Sequence, residues 1–424
     1  MRAVVHPVSV SGALTSGGPV LFGGLRPLVG PLDPPPYRLE CPPHVLGDVA
    51  DSLPDGEARP EAIAVRLRRR GVAIVVGAPE PISASEFLRW SEARGRSSIA
   101  LWRADPRLLS ELQLGAFHRP TTFGRGVRRT LLAAGARITP PAARAVKACA
   151  DAAFWRGVRA AATAREWRHL TTGYSVLLYH RLAGEFKPGQ ERLDVPPRQF
   201  ARQMRALRAA GFSPVRLEEV VAFHHDGAPL PPRAVLVTAD DAYAEATAVL
   251  TEHGAMHPVM FVPTRARTAH WTDHEPLADA GALAALRAAG GTLGAHSRTH
   301  PDLTTLDDDA LDGEVRGALE DLGEHTAFAY PHGRHDDRVR ERARSAQLAF
   351  TTDIGRNGAG TDPWCLRRVN VKAHDGLPAF CWKALTNENL PGLWERAADR
   401  RSSRRAARAD AARPLAAPPR PPAA

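Results

Sequence analysis

With 424 residues, 44% of them apolar, the chain is long enough for two domains that each bury a core. It is basic, 56 Lys and Arg against 46 Asp and Glu for a net +10, but seven Arg and two Asp fall within 399–424, so the body carries only +5 and no nucleic-acid-binding signature. Four scattered cysteines (Cys41, Cys149, Cys365, Cys381) exclude a zinc ribbon or a disulfide framework and suit a reducing compartment. No run of eighteen apolar residues is present, so no transmembrane helix is expected, and residues 1–7 lack the pattern of a secretory signal, which makes a cytoplasmic location the expectation.

Residues 1–58 are rich in Gly, Pro and Val with weak periodicity, and only short strands and loops are expected there. From Pro60 the pattern sharpens: a helix over 61–70, a buried strand over 72–76, a capped helix over 83–94, a strand over 98–102 and a helix over 125–134 stopping at Gly135. This first region, 1–139, reads as a partial α/β unit without a phosphate-cradling Gly-rich loop. It resembles, over these elements, the C-terminal part of a class I methyltransferase domain lacking the cofactor-binding half; a docking or degenerate domain without chemistry is the better expectation. Residues 140–172 form an Ala/Arg-rich helical segment, expected as a linker helix packed on the next domain rather than an amphipathic arm for a membrane or a partner. Residues 397–424, mostly Ala, Pro, Ser and Arg, are expected to be a disordered, solvated tail.

The second domain, 173–396, alternates short apolar runs with helices. Strand 175–180 ends in His180; helix 196–210, strand 211–215 and helix 217–225 follow. Then Val235-Leu236-Val237-Thr238-Ala239 reads as a buried parallel strand ending in Asp240, Asp241, Ala242 and Tyr243, with a helix over 244–251. Strand 258–262, helix 278–289 and strand 290–295 lead to His296-Ser297-Arg298-Thr299-His300. Helix 306–322, strand 327–330 leading to Pro331-His332-Gly333, helix 336–346 and strand 348–352 complete the series. Such α/β alternation implies right-handed βα units, about seven of which make a distorted (β/α)7 barrel.

Three of these strand ends carry candidate chemistry. Two adjacent carboxylates at the C-terminal end of a buried strand are costly unless a cation sits between them, although Asp is also a favoured helix cap. Two histidines four apart can face one ion when the segment turns after its strand. One Asp and two His make an open facial set that holds Zn²⁺ or a similar divalent ion and leaves positions for water and substrate. A lone His pair among seventeen histidines would carry little weight; the ordered combination carries much more.

With Thr238-Ala239-Asp240-Asp241-Ala242, His296-Ser297-Arg298-Thr299-His300 and Ala329-Tyr330-Pro331-His332-Gly333 in that order, the chain resembles the polysaccharide deacetylases, the NodB-homology family of carbohydrate esterases, over about residues 174–393. Their ordered motifs are Thr-Phe-Asp-Asp-Gly, His-Ser/Thr-x-x-His and Arg/Ala-x-Pro-Tyr/Phe-Gly. The resemblance implies that Asp240 is the general base and that Asp241, His296 and His300 hold one divalent metal ion, Zn²⁺ being the expected species. Such an ion lowers the pKa of a water from about 16 towards about 7. The oxyanion formed on an acetamide carbonyl would meet a backbone N–H of the 330–332 turn, that of Tyr330 or His332, since Pro331 has none. His180, Tyr243 and Pro331 are the substrate-facing candidates, with a structural hydrogen bond the alternative for His180.

Several positions depart from the family pattern. Ala239 and Ala242 replace Phe and Gly, which predicts altered packing with the chemistry kept. Ala329 and His332 replace Arg and an aromatic residue, which leaves Asp240 without its usual partner. Arg368 sits where one branch of the family places a late Arg and is the candidate substitute, while Arg367 is expected in solvent. The usual Leu-x-His-Asp motif is not clearly present; His374-Asp375 has its letters within a polar stretch, and His332 is a second candidate proton donor. The implied function is a metal-dependent hydrolase of N-acetyl groups on cell-envelope sugars. The alternatives are a carbohydrate-binding barrel with impaired catalysis or a hydrolase of a small non-sugar amide. The expected partner is a carbohydrate substrate and no nucleic acid, with peripheral membrane or glycosyltransferase association left open.

Overall fold

A computed structural model describes residues 84–118, 122–133, 143–184, 194–265 and 276–388, with four short strands before them: β1 (Ala3–Val5), β2 (Leu14–Ser16), β3 (Leu39–Cys41) and β4 (Val75–Val76). Those four pair antiparallel in the order β2-β1-β3-β4. The helix expected over 61–70 and the basic tail at 397–424 lie outside the described residues.

Four helices follow: α1 (Ala84–Ala104), α2 (Thr122–Ala133), α3 (Ala143–Ala161) and α4 (Ala164–Thr171). The strand expected over 98–102 is instead the last part of α1. Its buried face runs through Leu88, Ser91, Arg94, Gly95, Ser98 and Ile99, a helical spacing made largely of small and polar residues that an apolar count does not register. Ser97 and Ser98 return their hydroxyls to the carbonyls of Ala93 and Arg94 at 2.9 Å, which removes their pull towards a turn. The small face has a purpose: α1 and α3 touch backbone to backbone, where a Cβ on Gly95 would lie 2.0 Å from the Phe154 carbonyl oxygen and one on Gly157 would lie 1.9 Å from that of Glu92. The helical segment expected over 140–172 breaks at Thr163, whose hydroxyl accepts the Glu166 N–H (3.2 Å) while the Glu166 carboxylate accepts the Thr163 N–H (2.6 Å).

From Ser175 the chain alternates as expected. The strands are β5 (Ser175–Tyr179), β6 (Ser213–Pro214), β7 (Ala234–Ala239), β8 (Val259–Val262), β9 (Thr292–Ala295), β10 (Ala327–Ala329), β11 (Leu348–Phe350) and β12 (Val369–Asn370). Between them lie α5 (Pro197–Ala209), α6 (Leu217–His225), α7 (Ala244–Glu252), α8 (Ala280–Ala288), α9 (Asp308–Leu322) and α10 (Asp337–Ala343), with α11 (Leu377–Thr386) last. One parallel sheet runs β11-β10-β9-β8-β7-β5-β12, with β6 against the start of β7. It forms a parallel half-barrel flanked by helices, the distorted barrel expected. The short strand β12 was not foreseen. Between β11 and β12 the loop closes partway, Leu366 exchanging backbone bonds with Ala349 (2.9 Å) and Thr351 (2.8 Å).

Every residue of β5 and of β7 is buried, as strands covered on both faces require. Register positions the site. Tyr179 pairs with Ala239, Val262 with Ala295, Ala295 with Phe328, and Ala329 with Phe350. The strand ends therefore align, and residues 180, 240, 296 and 330 emerge at one rim, the carboxyl ends where parallel folds bind ligands.

Candidate active site

Immediately after β7 the backbone enters the left-handed region twice, at Asp241 (φ 76°) and Ala242 (φ 53°). The Gly-to-Ala departure at 242 thus falls where a Cβ is disfavoured, by about 1–2 kcal/mol. This reversal aims the two carboxylates differently. Asp240 turns to Arg368, whose guanidinium forks onto both of its oxygens at 2.6 and 2.8 Å while its Nε donates to the Thr351 carbonyl at 2.8 Å. Asp241 turns to the histidines: His296 Nε2 and His300 Nε2 both lie 3.5 Å from its Oδ1. Asp240 is more distant from His296, 3.8 Å from Oδ2 to Nε2.

The histidine end is shaped by a turn with two more left-handed residues, Ser297 and His300, both at φ 62°. Ser297 Oγ accepts the His300 N–H at 2.9 Å. His296 Nδ1 lies 2.8 Å from the Ala329 carbonyl, so it carries the ring proton and leaves the Nε2 lone pair facing Asp241.

Burial alone would raise the pKa of Asp240; the charge of Arg368, with that of His296, more than offsets it and holds the group at about 2. Asp241 follows the same balance, burial against His296 and its neighbours, and ends below the ordinary range. His300 is pushed down to about 3, by burial first and then by His296, so its imidazole is neutral, the form that binds a cation. Burial also lowers His296, but Asp240 and Asp241 reverse the sign and it ends raised.

These residues fit a divalent cation. Asp241, His296 and His300 are all less than a tenth exposed, and one ligand atom from each lies within 4.8 Å of the others. The decisive atom is Asp241 Oδ1, which is buried and accepts no hydrogen bond. An uncompensated buried carboxylate oxygen is expensive; a cation between it and two imidazole nitrogens satisfies all three, and two N donors with one O donor suit Zn²⁺ and similar ions.

The remaining candidates divide. His180, at the end of β5, is near enough for its charge to bear on both Asp240 and Asp241. His332 is exposed, at φ 56°, with its ring centroid 4.6 Å from that of His300. Pro331 is buried beneath the same turn. Tyr330 does not deliver a donor to the site: its N–H goes to the Phe350 carbonyl (3.1 Å) and its hydroxyl to that of Trp364 (2.9 Å). Strand pairing takes up the first residue after β10 and so removes it from the candidate oxyanion donors. Tyr243, 7% exposed, packs into the apolar cluster of Leu182, Ala246 and Leu250. Arg367 is exposed, as expected. Asp375 is buried and paired with Lys383 Nζ at 2.5 Å, and His374 is exposed.

Two contributors were not read from the sequence. The Thr351 carbonyl that orients Arg368 is a backbone group with no residue signature. Glu314, on α9, accepts the backbone N–H groups of Arg298 and Thr299 between the two histidines. It lies well outside the local motif, and helix periodicity marks it only as a polar position.

Residues 227–351 match the family model described as polysaccharide deacetylase. No curated protein matches the chain. Among solved structures the chain is similar to the Streptococcus pyogenes deacetylase PplD in complex with acetate, at 21% identity and a TM-score of 0.44 over 50% of this chain and 98% of that one. It is similar to the polysaccharide deacetylase BC0361 from Bacillus cereus at 21% identity and 0.43, over 50% and 69%. To IcaB from Ammonifex degensii it is similar at 24% identity and 0.41, over 50% and 97%. The matched segment contains both carboxylates, both histidines and the 330–333 turn, whereas His180 and Arg368 fall outside it. The heart of the half-barrel, residues 227–351, therefore matches the polysaccharide deacetylase family.

Proposed function

We propose that the chain is a metal-dependent deacetylase that removes acetyl groups from an N-acetylated sugar in cell-envelope polysaccharide or glycolipid metabolism. The observation that carries this reading is the buried, unbonded Oδ1 of Asp241 facing two imidazole nitrogens at 3.5 Å. Asp241, His296 and His300 are the residues that would hold the ion. When bound, a divalent cation there supplies Lewis acidity, which polarises a carbonyl and acidifies water.

The protein's own groups do the rest. Asp240, fixed by Arg368, takes a proton from the attacking water, which adds to the acetamide carbonyl carbon. The N–H of His332 is the donor left in the 330–332 turn for the developing oxyanion, since that of Tyr330 is spent in the sheet. Collapse breaks the C–N bond, acetate leaves, and the amine nitrogen needs one proton. Asp240, carrying the proton it removed, and His332, at the rim, are the two groups placed to provide it.

Metal content and acetate release test the reading together. The purified chain, loaded with Zn²⁺, is offered chitooligosaccharides and nucleotide- or lipid-linked N-acetylhexosamines. Acetate release with a stoichiometric ion is expected, and His296→Ala should remove both. A variant that still released acetate at the wild-type rate would sink the proposal. A protein that holds the ion and binds these sugars without acetate release would instead be a carbohydrate-binding barrel, the reading favoured by the exposed His374 and the tied-up Asp375.

A further inference from the structure

The turn that carries both histidines is gripped by one face of α9. Glu314 Oε2 accepts the backbone N–H groups of Arg298 (2.8 Å) and Thr299 (2.9 Å), and its Oε1 accepts the Thr299 hydroxyl (2.6 Å). Two turns further along the same face, Asp321 takes the Nε and Nη2 of Arg298 at 2.8 and 2.9 Å. Gly317 lies between them, and a Cβ there would sit 2.2 Å from Arg298 Cζ, so the absent side chain is the slot that admits the guanidinium. From the other side, the N–H groups of Thr264 and Arg265 donate to the carbonyls of Ser297 and Arg298 at 3.1 and 2.8 Å, and Arg265 closes on Asp321 as well. The strained turn, left-handed at Ser297 and His300, is thus held at every residue between its two histidines.

We infer that Glu314 is a positioning residue of the cation site, and that the face of α9 bearing Glu314, Gly317 and Asp321 is a clamp setting the spacing of His296 and His300. The inference rests on the reading of Asp241, His296 and His300 as cation ligands. All three bonds of Glu314 go to groups lying between those histidines, which is the role of an outer partner that orients ligands.

The test is Zn²⁺ affinity of the full-length protein, measured by competition with a chromophoric chelator, together with the visible absorption of the Co²⁺-loaded form and the unfolding midpoint of the metal-free form. Glu314→Ala should weaken Zn²⁺ binding roughly 10- to 100-fold and shift the Co²⁺ bands. Glu314→Gln should restore most of the affinity, because its carbonyl can accept both amides while its NH₂ donates to the Thr299 hydroxyl. Wild-type affinity in Glu314→Ala would overturn the inference. Glu314→Gln as weak as Glu314→Ala would also overturn it, since charge rather than position would then matter. Should Glu314→Ala fail to fold, Gly317→Ala decides: it expels Arg298 with Glu314 intact, and weakened binding supports the clamp while unchanged binding overturns it. Failure of the ligand reading has its own signature, equal Zn²⁺ affinity of the wild type and His296→Ala.

Discussion

At the rim of the half-barrel four ionisable side chains are almost out of water: Asp240 is 3% exposed, Asp241 6%, His296 2% and His300 9%. The helices α1–α4 on the flank bury mainly Phe117, Phe154, Trp155, Val158 and Leu170, with the guanidiniums of Arg94 and Arg128 laid against their rings. Their rings meet edge to face, Phe117 on Trp155 at 4.8 Å and Trp155 on Trp167 at 6.3 Å. The backbones differ in the same sense. Of nine non-glycine residues with positive φ among the described ones, Asp241, Ala242, Ser297, His300 and His332 are at the rim, and only Gln113 is in the helical layer. One region is rich in conformations and charges that cost stability, the other is built mainly from packing that supplies it, its buried Arg128 being paired with Asp151. A fold that retains the former has a use for it.

Removing the chemistry from the rim without disturbing its packing gives the largest expected effect. Asp240→Asn keeps the shape and leaves Asp241, His296 and His300 in place, so Zn²⁺ affinity should persist while acetate release falls on the order of 10²–10⁴-fold, the usual loss for a general base. Equal rates in variant and wild type would take Asp240 out of the mechanism. Next comes Arg368→Ala. It leaves the Asp240 carboxylate buried and unpaired, for which a loss of about 3–5 kcal/mol is expected in denaturant unfolding, with acetate release lost as well. Arg368→Lys should recover only part of either, because an ammonium cannot fork onto both oxygens and reach Thr351.

The flank provides the contrast. Trp155 is 1% exposed at the centre of its cluster, so Trp155→Ala should also cost about 3–5 kcal/mol. Here Zn²⁺ affinity and the rate of the protein that remains folded should be unchanged. A parallel drop in Zn²⁺ affinity would show that the helical layer shapes the site and would erase the distinction between the two regions.

The two regions were also unequally legible. The half-barrel announces itself, since β5 and β7 are apolar runs interrupted only by Ser175 and Thr238 and the ligand set sits in compact motifs at strand ends. Its long-range partners are harder to see. Arg368 was found only through the departure at Ala329, and Glu314 and the Thr351 carbonyl act from elements that local patterns do not connect to the histidines. In the helical layer the signal itself misleads. Ser98-Ile99-Ala100-Leu101-Trp102 has strand-like content, yet the segment continues a helix whose preceding turn, at Gly95, meets α3 at backbone contact, a tertiary demand that outweighs propensity. Tyr330 failed for a related reason: its position beside the motif is right, but sheet pairing with Phe350 claims its N–H.

The smallest expected effect lies in the flank and has a definite pH dependence. Glu166 caps α4 and is also forked by Arg103, at 2.8 and 2.7 Å. The bond from Arg103, with those from Thr163, outweighs partial burial and lowers its pKa from 4.5 to about 2. A carboxylate held below its unfolded value stabilises the fold above about pH 4.5, and the contribution drains away as pH falls towards 2. The pair is at the surface, with Arg103 47% exposed, so salt screens it and most of the effect is the cap itself. Glu166→Ala should therefore cost about 1 kcal/mol at neutral pH, and wild type and variant should converge as the medium is acidified through that window. The helix break at Thr163 depends on the same reciprocal bonds, so loss of the cap should also fray the start of α4, where hydrogen exchange at Trp167, whose N–H donates to the Thr163 carbonyl at 2.9 Å, would quicken. A constant difference in stability between the two proteins from pH 7 to pH 2 would mean that this carboxylate contributes through packing alone, and that its ion pair, unlike that of Asp240 at the rim, adds nothing.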